Sequence, residues 1–287
     1  MILKKAYELT SKQKVNLAHI PTHIKPRYDS EEDYKLQLEK SVRRLSEYQE
    51  NLYAEHKRSL LIIFQGMDTA GKDGAISHVM SGINPQGCWV SSFKAPNEVE
   101  LSHDFLWRVY QNLPSRGKIG VFNRSYYEDL IVPRVHPEIL KSVHMPENKI
   151  KAKNFWRHRY EDIMHFEKYL IRQGNEIIKI FLHISKGEQK IRLLNRFEDQ
   201  SKLWKISESD VRERGFWGDY QSAYGKCFAG TAFTEAPWFI IPADDKKNAR
   251  LMISEIILER LQSMNPAPPE LSPERRRQLL MLRKKLV

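Results

Sequence analysis

The fold of this chain is decided by one stretch, residues 60–74, which reads Leu60-Leu61-Ile62-Ile63-Phe64-Gln65-Gly66-Met67-Asp68-Thr69-Ala70-Gly71-Lys72-Asp73-Gly74. Its first five residues form a continuous apolar run, which is typical of a strand buried on both faces of a parallel sheet. Gly66, Gly71 and Lys72 then match the G-x-x-x-x-G-K pattern of a phosphate-binding loop, and a helical pattern follows. Glycines let N–H groups point at an anion, the helix N-terminus adds positive potential, and the lysine adds a mobile charge. The stretch predicts a phosphate-binding loop, against the alternative of an ordinary glycine-rich turn.

The loop departs from the usual pattern at its end. Asp73 stands where most such loops have a Ser or Thr hydroxyl that binds Mg²⁺. Asp68, inside the loop, offers a hard oxygen that could take over this role. Because a carboxylate beside a phosphate is repulsive unless a cation neutralises it, Asp68 implies Mg²⁺.

A later apolar run, residues 119–122, leads into the predicted second half of the site. In proteins with such loops, a second strand usually ends in an acid that helps to hold the metal. Here that position is Asn123, and the nearest acids are Glu128 and Asp129, one helical turn later. Arg124, beside them, is a natural phosphate ligand.

Apolar runs alternate with helical patterns along most of the chain. Strands are predicted at 60–65, 88–93, 119–122, 177–184 and 238–241, and helices at 31–58, 72–82, 98–113, 150–173, 186–199, 246–263 and 272–285. This alternation indicates an α/β fold with a parallel sheet and right-handed crossovers. We expect an N-terminal extension with an amphipathic helix (1–58), one α/β domain (59–263) and a basic C-terminal helix (264–287).

Composition narrows the function classes. The 287 residues include 47 Lys and Arg against 36 Asp and Glu, a net charge of +11, which favours a polyanionic partner. No apolar run approaches the length of a membrane span, and the first residues lack the apolar core of a signal peptide. The two cysteines, Cys88 and Cys227, are too few for a disulfide framework and fit a reducing compartment. A soluble cytoplasmic protein is expected.

The motifs together resemble one known family, polyphosphate kinase family 2, from about residue 30 to residue 263. The matching segments are 66–74, 92–96, 100–104, 106–108, 122–128, 132–137, 202–205 and 236–246. The resemblance implies a thymidylate-kinase-like P-loop kinase fold, a three-layer α/β structure with a parallel sheet and a helical lid at about 187–216. From the residues alone, that last segment is more simply a solvated helical hairpin, because acidic residues accompany its basic ones.

The resemblance also implies roles for individual residues. The residues expected to be catalytic are Asp68, Lys72, Arg124 and Glu128, with Asp68 and Glu128 as ligands of Mg²⁺, for which Mn²⁺ could substitute. Those expected to bind phosphate or polyphosphate are Gly66, Ala70, Gly71, Lys72, Arg192, Arg196, Lys202, Lys205 and Arg212. Those expected to bind the nucleotide are Asp73, Gly74, Lys94, Arg108 and Arg124.

The activity implied by the resemblance is reversible, in-line transfer of the terminal phosphoryl of inorganic polyphosphate to AMP and ADP, giving ADP and ATP. The sequence of residues 67–73, together with Asn123, resembles that of the class III subgroup, whose members use both AMP and ADP as acceptors. Inorganic polyphosphate, AMP, ADP and ATP are the expected partners, with no nucleic acid or membrane, and a homodimer or homotetramer is expected. Two alternatives stay open at this point: an ATP-dependent nucleotide or small-molecule kinase, and a basic RNA-binding protein.

Overall fold

The computed structural model describes residues 7–205 and 207–286, apart from the side chains of residues 202 and 205. Within these residues, six strands form one sheet in the order β1-β6-β5-β2-β4-β3. The strands are β1 (Glu8–Leu9), β2 (Ser59–Gly66), β3 (Cys88–Ser92), β4 (Ile119–Asn123), β5 (Asn175–His183) and β6 (Trp238–Pro242). Neighbouring strands run parallel except β1, which pairs antiparallel with β6. The predicted α/β class is confirmed, with one antiparallel edge strand added.

Helices connect and cover the strands. The α-helices of the described chain are α1 (Glu31–Glu55), α2 (Lys72–Val79), α3 (Glu98–Leu101), α4 (Trp107–Tyr110), α5 (Glu128–Val135), α6 (Glu147–Ile150), α7 (Phe155–Arg172), α8 (Lys186–Glu198), α9 (Glu208–Glu213), α10 (Trp217–Thr231), α11 (Lys246–Met264) and α12 (Pro273–Arg283). Short 3₁₀ segments are Leu17–His19, Pro85–Gly87, Pro137–Lys141, Gln200–Lys205 and Arg214–Phe216.

The core lies on both faces of the central strands. All eight residues of β2 are buried, as expected for an apolar run between two helical layers. Helix α11 packs against α1 and α2, while α10 packs against α5 and α7. Within the described residues, no helix is both long enough and apolar enough to cross a lipid bilayer.

Two predicted helices are wrong in extent. The segment 98–113 forms the two short helices α3 and α4, because Asp104 bonds the N–H of Leu106 through its side chain and the N–H of Trp107 through its carbonyl. Such local bonds compete with a continuous helix. In the segment 150–173, helix α7 begins only at Phe155, because Ile150 is the last residue of α6 and residues 151–154 are not helical.

Helix α10 was missed because three glycines weaken the helical signal of its sequence. Two of them are required by close packing. A Cβ on Gly225 would lie 2.6 Å from the carbonyl oxygen of Val15, and one on Gly230 would lie 2.7 Å from the ring of Tyr160. Tertiary contacts therefore override helix propensity here.

The parallel strands bring the chemistry-bearing residues to one edge of the sheet. Strands β2, β3, β4, β5 and β6 end at Gly66, Ser92, Asn123, His183 and Pro242. In open parallel sheets, ligands bind outside these carboxyl ends. The phosphate-loop candidate at Gly66 and the Asn123–Arg124 segment thus face the same crevice.

A buried polar network supports this edge from below. The Tyr126 and Tyr127 hydroxyls donate to Glu167 Oε1 at 2.8 and 2.6 Å, and Lys179 Nζ donates to Glu167 Oε2 at 2.7 Å. Lys179 and Glu167 have fully buried side chains. Lys179 also donates to the carbonyl oxygen of Thr231. The network connects the segment after β4 to β5, α7 and α10.

We predict that Lys179→Met lowers the free energy of unfolding by about 3–5 kcal/mol, because it leaves the Glu167 carboxylate buried without a counter-charge. Urea unfolding at pH 7 measures this. The surface substitution Lys226→Met on α10 is the control and should change stability by no more than about 0.5 kcal/mol. The double variant Glu167→Leu/Lys179→Met should recover part of the loss, and a Lys179→Met cost below about 1 kcal/mol would contradict the prediction.

Candidate active site

The loop between β2 and α2 needs both of its glycines. A Cβ on Gly66 would lie 3.0 Å from the carbonyl oxygen of Leu182 and 3.0 Å from Ala70 Cβ. Gly71, the N-cap of α2, has φ +98°, a left-handed conformation that side chains disfavour. The pattern that predicted the loop therefore has a steric origin at each glycine.

Lys72 lies beneath the loop. Its ammonium group donates to the carbonyl oxygens of Gly66 at 2.7 Å and Met67 at 3.3 Å. Burial lowers the pKa of Lys72 to about 8, and the neighbouring positive charge of Arg124 acts in the same direction. An added negative charge in the crevice would raise the pKa of Lys72 again and favour the ammonium form.

Arg124 and Asp68 face each other across the crevice. Arg124 Nη2 lies 2.8 Å from Asp68 Oδ1. Arg124 has φ +63°, an unusual backbone conformation for a residue other than glycine, which places its side chain beside the loop directly after β4. Strain of this kind concentrates at functional sites.

Glu128 is partly buried near this pair. Burial raises the pKa of its carboxyl group, the charges of Arg124 and Lys72 oppose that rise, and the charge of Asp68 adds to it. With its amide oxygen facing the Ser125 N–H, Gln65 donates to Glu128 Oε1 at 2.8 Å. The two predicted metal ligands therefore interact electrostatically, and a cation near them would offset their mutual repulsion.

Asp73 and Asn123, the two residues that depart from the usual loop and strand-end chemistry, are in contact. Asn123 Nδ2 donates to Asp73 Oδ1 at 2.7 Å. The two departures thus form one hydrogen-bonded pair on the β4 side of the loop.

These residues surround a cavity of about 630 Å³. The predicted site residues that line it are Asp68, Ala70, Gly71, Lys72, Asp73, Gly74, Lys94, Arg124, Arg192 and Arg196. Ten of the predicted residues are therefore brought together around one space of the size that a small-molecule ligand occupies.

Other predicted residues lie outside the cavity lining. Arg108 is buried, donates to the carbonyl oxygen of Lys94 at 2.8 Å, and pairs with Asp129 at 3.7 Å. Arg212 is largely exposed and lies 3.6 Å from Glu213. Gly66 and Glu128 lie behind the lining. The side chains of Lys202 and Lys205 are outside the described residues.

Arg192 lines the cavity and forms hydrogen bonds with protein groups. Its guanidinium donates to the backbone carbonyl oxygens of Ala70 at 2.8 Å and Ala243 at 2.6 Å, and Nε donates to Glu188. Arg196, one turn later on α8, instead faces the cavity and lies 3.7 Å from Asp210.

Sequence reasoning missed several cavity residues. They are Ser92, Phe93, Asn195, Trp204, Asp210, Lys246 and Arg250. Lys246 and Arg250 are four residues apart at the start of α11, immediately after the end of β6. That spacing and position predict two cations on one helical face at the carboxyl edge of the sheet, a signal that was available in the sequence.

The donor set fits Mg²⁺ of the substrate-bridging kind. Among the described residues, no group of three or more His, Cys, Asp or Glu side chains could enclose a metal ion. Mg²⁺ at phosphate-transfer sites is usually held by one or two carboxylates, water and the substrate phosphates. Asp68 and Glu128 supply two such carboxylates beside the loop.

The central strand of the parallel sheet leads into a loop bounded by two glycines, with a buried lysine beside it. The neighbouring strand is followed directly by an arginine next to this loop. These features are typical of an α/β protein of the P-loop class. Comparison with known proteins makes this specific. The family description "Polyphosphate kinase 2 (PPK2)" matches residues 28–269, and the chain belongs to this family. The resemblance found in the sequence is confirmed.

Individual relatives agree with this assignment. A protein of Rhodopseudomonas palustris named "ADP-polyphosphate phosphotransferase" is 48% identical over 286 residues, covering 100% of this chain and 99% of that protein. An "AMP/ADP-polyphosphate phosphotransferase" of Meiothermus ruber is 40% identical over 81% of this chain and 84% of its own. The crystal structure of polyphosphate kinase 2 from Arthrobacter aurescens TC1 matches with a TM-score of 0.83 and 38% identity over 95% of each chain. The predicted fold class is thereby confirmed.

We predict that this site binds inorganic tripolyphosphate about tenfold more tightly at pH 7 than at pH 9. Lys72, with a pKa of about 8, is mostly charged at pH 7 and mostly neutral at pH 9, and the bound anion favours the charged form. Isothermal titration calorimetry at both pH values measures the affinity, and proton uptake should accompany binding near pH 8. Lys72→Met should bind more weakly and lose the pH dependence, whereas equal wild-type affinities at the two pH values would contradict the prediction.

Proposed function

We propose that this protein transfers the terminal phosphoryl group of inorganic polyphosphate to AMP and to ADP. The observation that carries the proposal is the loop at Gly66–Lys72 with Arg124 beside it, in one cavity lined by further cations. The names of the relatives from R. palustris and M. ruber support polyphosphate as the donor and ADP or AMP as the acceptor.

The reaction needs charge neutralisation more than proton transfer. An oxygen of the acceptor phosphate forms a bond to the terminal phosphorus of polyphosphate, and the bond from that phosphorus to the bridging oxygen breaks. The acceptor is already ionised near pH 7, because the second pKa of a phosphate is about 6. In-line transfer then depends on alignment and on offsetting negative charge, which Lys72 and Arg124 supply next to the loop.

The cavity offers cations on two sides, which suggests one side for each substrate. Lys94 lies at the β3–β4 side, near the Asp73–Asn123 pair. Arg196, Lys246 and Arg250 line the opposite side, on α8 and α11. We assign the nucleotide phosphates to the first side and the polyphosphate chain to the second.

Asp68 and Glu128 are the residues that would hold Mg²⁺, and Mn²⁺ could substitute. When bound there, the ion neutralises phosphate oxygens during transfer. The chain itself contributes the position of the two carboxylates: Arg124 orients Asp68, and Gln65 orients Glu128.

The decisive experiment supplies the purified protein with Mg²⁺, polyphosphate and either AMP or ADP, with other donors omitted. The proposal expects ADP and then ATP from AMP, and ATP from ADP. An ATP-dependent kinase would form no ATP under these conditions. An RNA-binding protein would bind RNA in preference to polyphosphate, whereas the proposal expects polyphosphate to displace a labelled RNA.

We predict that Asp68→Asn raises the Mg²⁺ concentration needed for half-maximal activity by at least about tenfold, the scale that even outer-sphere ligand changes reach. The variant keeps the size of the side chain and removes its charge. Activity is measured against Mg²⁺ concentration, with the exposed substitution Asp219→Asn as the control. An unchanged Mg²⁺ titration would mean that Asp68 is not a ligand.

We predict that Asp73→Gly reduces kcat/KM for AMP about tenfold more than kcat/KM for ADP, the effect of roughly one lost charge-assisted contact. AMP has one phosphate fewer than ADP. Its use therefore depends more on the negative charge of Asp73, which draws a cation to the acceptor side of the cavity. Asp73→Asn, which keeps the shape of the side chain, separates charge from geometry. Equal losses for the two acceptors would show that Asp73 does not set acceptor length, and a wild type inactive on AMP would exclude the class III assignment.

A further inference from the structure

Protein side chains hold the carbonyl oxygens of the phosphate loop. Each one from residue 66 to residue 70 accepts a hydrogen bond from a side chain. Lys72 Nζ donates to the carbonyls of residues 66 and 67, Gln189 Nε2 to that of residue 68 at 3.1 Å, and Arg192 Nη1 to those of residues 69 and 70 at 3.2 and 2.8 Å. Three of the five are therefore held by α8, a helix outside the loop.

All the N–H donors of the Arg192 side chain bond other protein groups. A guanidinium has five N–H groups. Two go to the loop, two go from Nη2 to the carbonyl oxygens of Ala243 and Asp244 at 2.6 and 3.1 Å, and Nε donates to Glu188 at 2.7 Å. Only 4% of its side chain is exposed. The side chain joins the loop after β2 to the segment after β6 and keeps no donor for a phosphate.

Gln189 completes the contact and is itself oriented. Its amide donates to the carbonyl of Asp68, while its oxygen accepts from Arg214 Nη1 at 2.9 Å. Arg214 also donates to the carbonyl oxygen of Lys186, at the start of α8. Gln189 is almost fully buried and carries no charge, so it cannot attract an anion by itself.

The direction of these peptide groups decides what the loop can bind. N–H groups directed into the cavity attract phosphate oxygens, whereas a carbonyl directed inward repels them. Thr69 has φ +63°, which is unfavourable for a β-branched residue. The loop therefore needs an outside restraint, and the bonds from α8 hold the carbonyls of residues 68–70 towards that helix.

We propose that Gln189 and Arg192 are positioning residues that set the direction of the loop peptides and thereby align the phosphoryl group for transfer. This inference rests on the proposed function and deepens it, because it assigns Arg192 to the loop and not to the polyphosphate chain. Arg214, at the start of the 3₁₀ segment Arg214–Phe216, acts on the loop through Gln189.

The test compares Gln189→Leu and Arg192→Lys with wild type, using Arg172→Lys, an exposed position at the end of α7, as the matched control. Arg192→Lys keeps the positive charge but cannot reach both sides of the contact. Gln189→Leu keeps the volume of the side chain and removes one hydrogen bond to the loop. It tests the proposal even if Arg192→Lys folds poorly. We expect kcat with ADP to fall about 10- to 100-fold in both, the scale of a small misalignment. KM for polyphosphate should stay within about twofold.

A second readout follows the loop directly and does not depend on turnover. The ¹⁵N order parameters of residues 67–71 should fall in both variants from about 0.85 towards 0.6, the range between rigid and flexible backbone. Unchanged kcat, or a raised KM for polyphosphate with unchanged kcat, would overturn the proposal, as would unchanged order parameters. If the wild type makes no ATP from polyphosphate and ADP, the proposed function fails, and the order parameters alone then decide the positioning role.

Discussion

The site depends on one constraint, which is that a loop of peptide groups must present its N–H side to an anion and its carbonyl side to the protein. A free glycine-containing loop would sample both directions, because glycine restricts the backbone little. Here Lys72 holds the first two carbonyls from beneath, and α8 holds the next three from the side. Strand β5 delivers α8 to this position, so the sheet order itself places the restraint beside the loop.

Burial also determines the protonation of the titratable groups around the cavity. Burial lowers the pKa of Lys72 and raises that of Glu128, so both groups are shifted towards their neutral forms. Arg124 pairs with Asp68. These charged groups therefore already neutralise one another in the free protein. When a phosphate and a cation bind, the groups exchange these partners for the ligands. The protein avoids the large free-energy cost of isolated buried charges, and the charged forms are favoured when the substrates arrive.

Much of this could be predicted from the sequence, and the limits have physical causes. The apolar run 60–64, with Gly66, Gly71 and Lys72, fixed the central strand and the loop because each of these residues answers a local steric or electrostatic requirement. Asp68 and Arg124 followed from their places in the loop and after the apolar run 119–122, and the family resemblance added the acceptor side. What could not be predicted was the use of Arg192, since an arginine in a helix with acidic neighbours has the same sequence pattern whether it faces solvent or the backbone of another loop. Helix α10 was missed for a related reason: its glycines are explained by Val15 and Tyr160, which are distant in sequence.

The side chains that hold the loop carbonyls are different from those of the proposed acceptor side, and this separation bears on how such a protein can change. The residues that hold the carbonyls are buried and have several bonds each, so substitutions there affect the backbone. Asp73, Asn123 and Lys94 line the other side and hold none of these carbonyls. On the proposed assignment of the acceptor side, single substitutions there alter which nucleotide is accepted and leave the bonds to the loop carbonyls in place. The choice of acceptor and the alignment of the transferred group would then be changed by separate sets of residues.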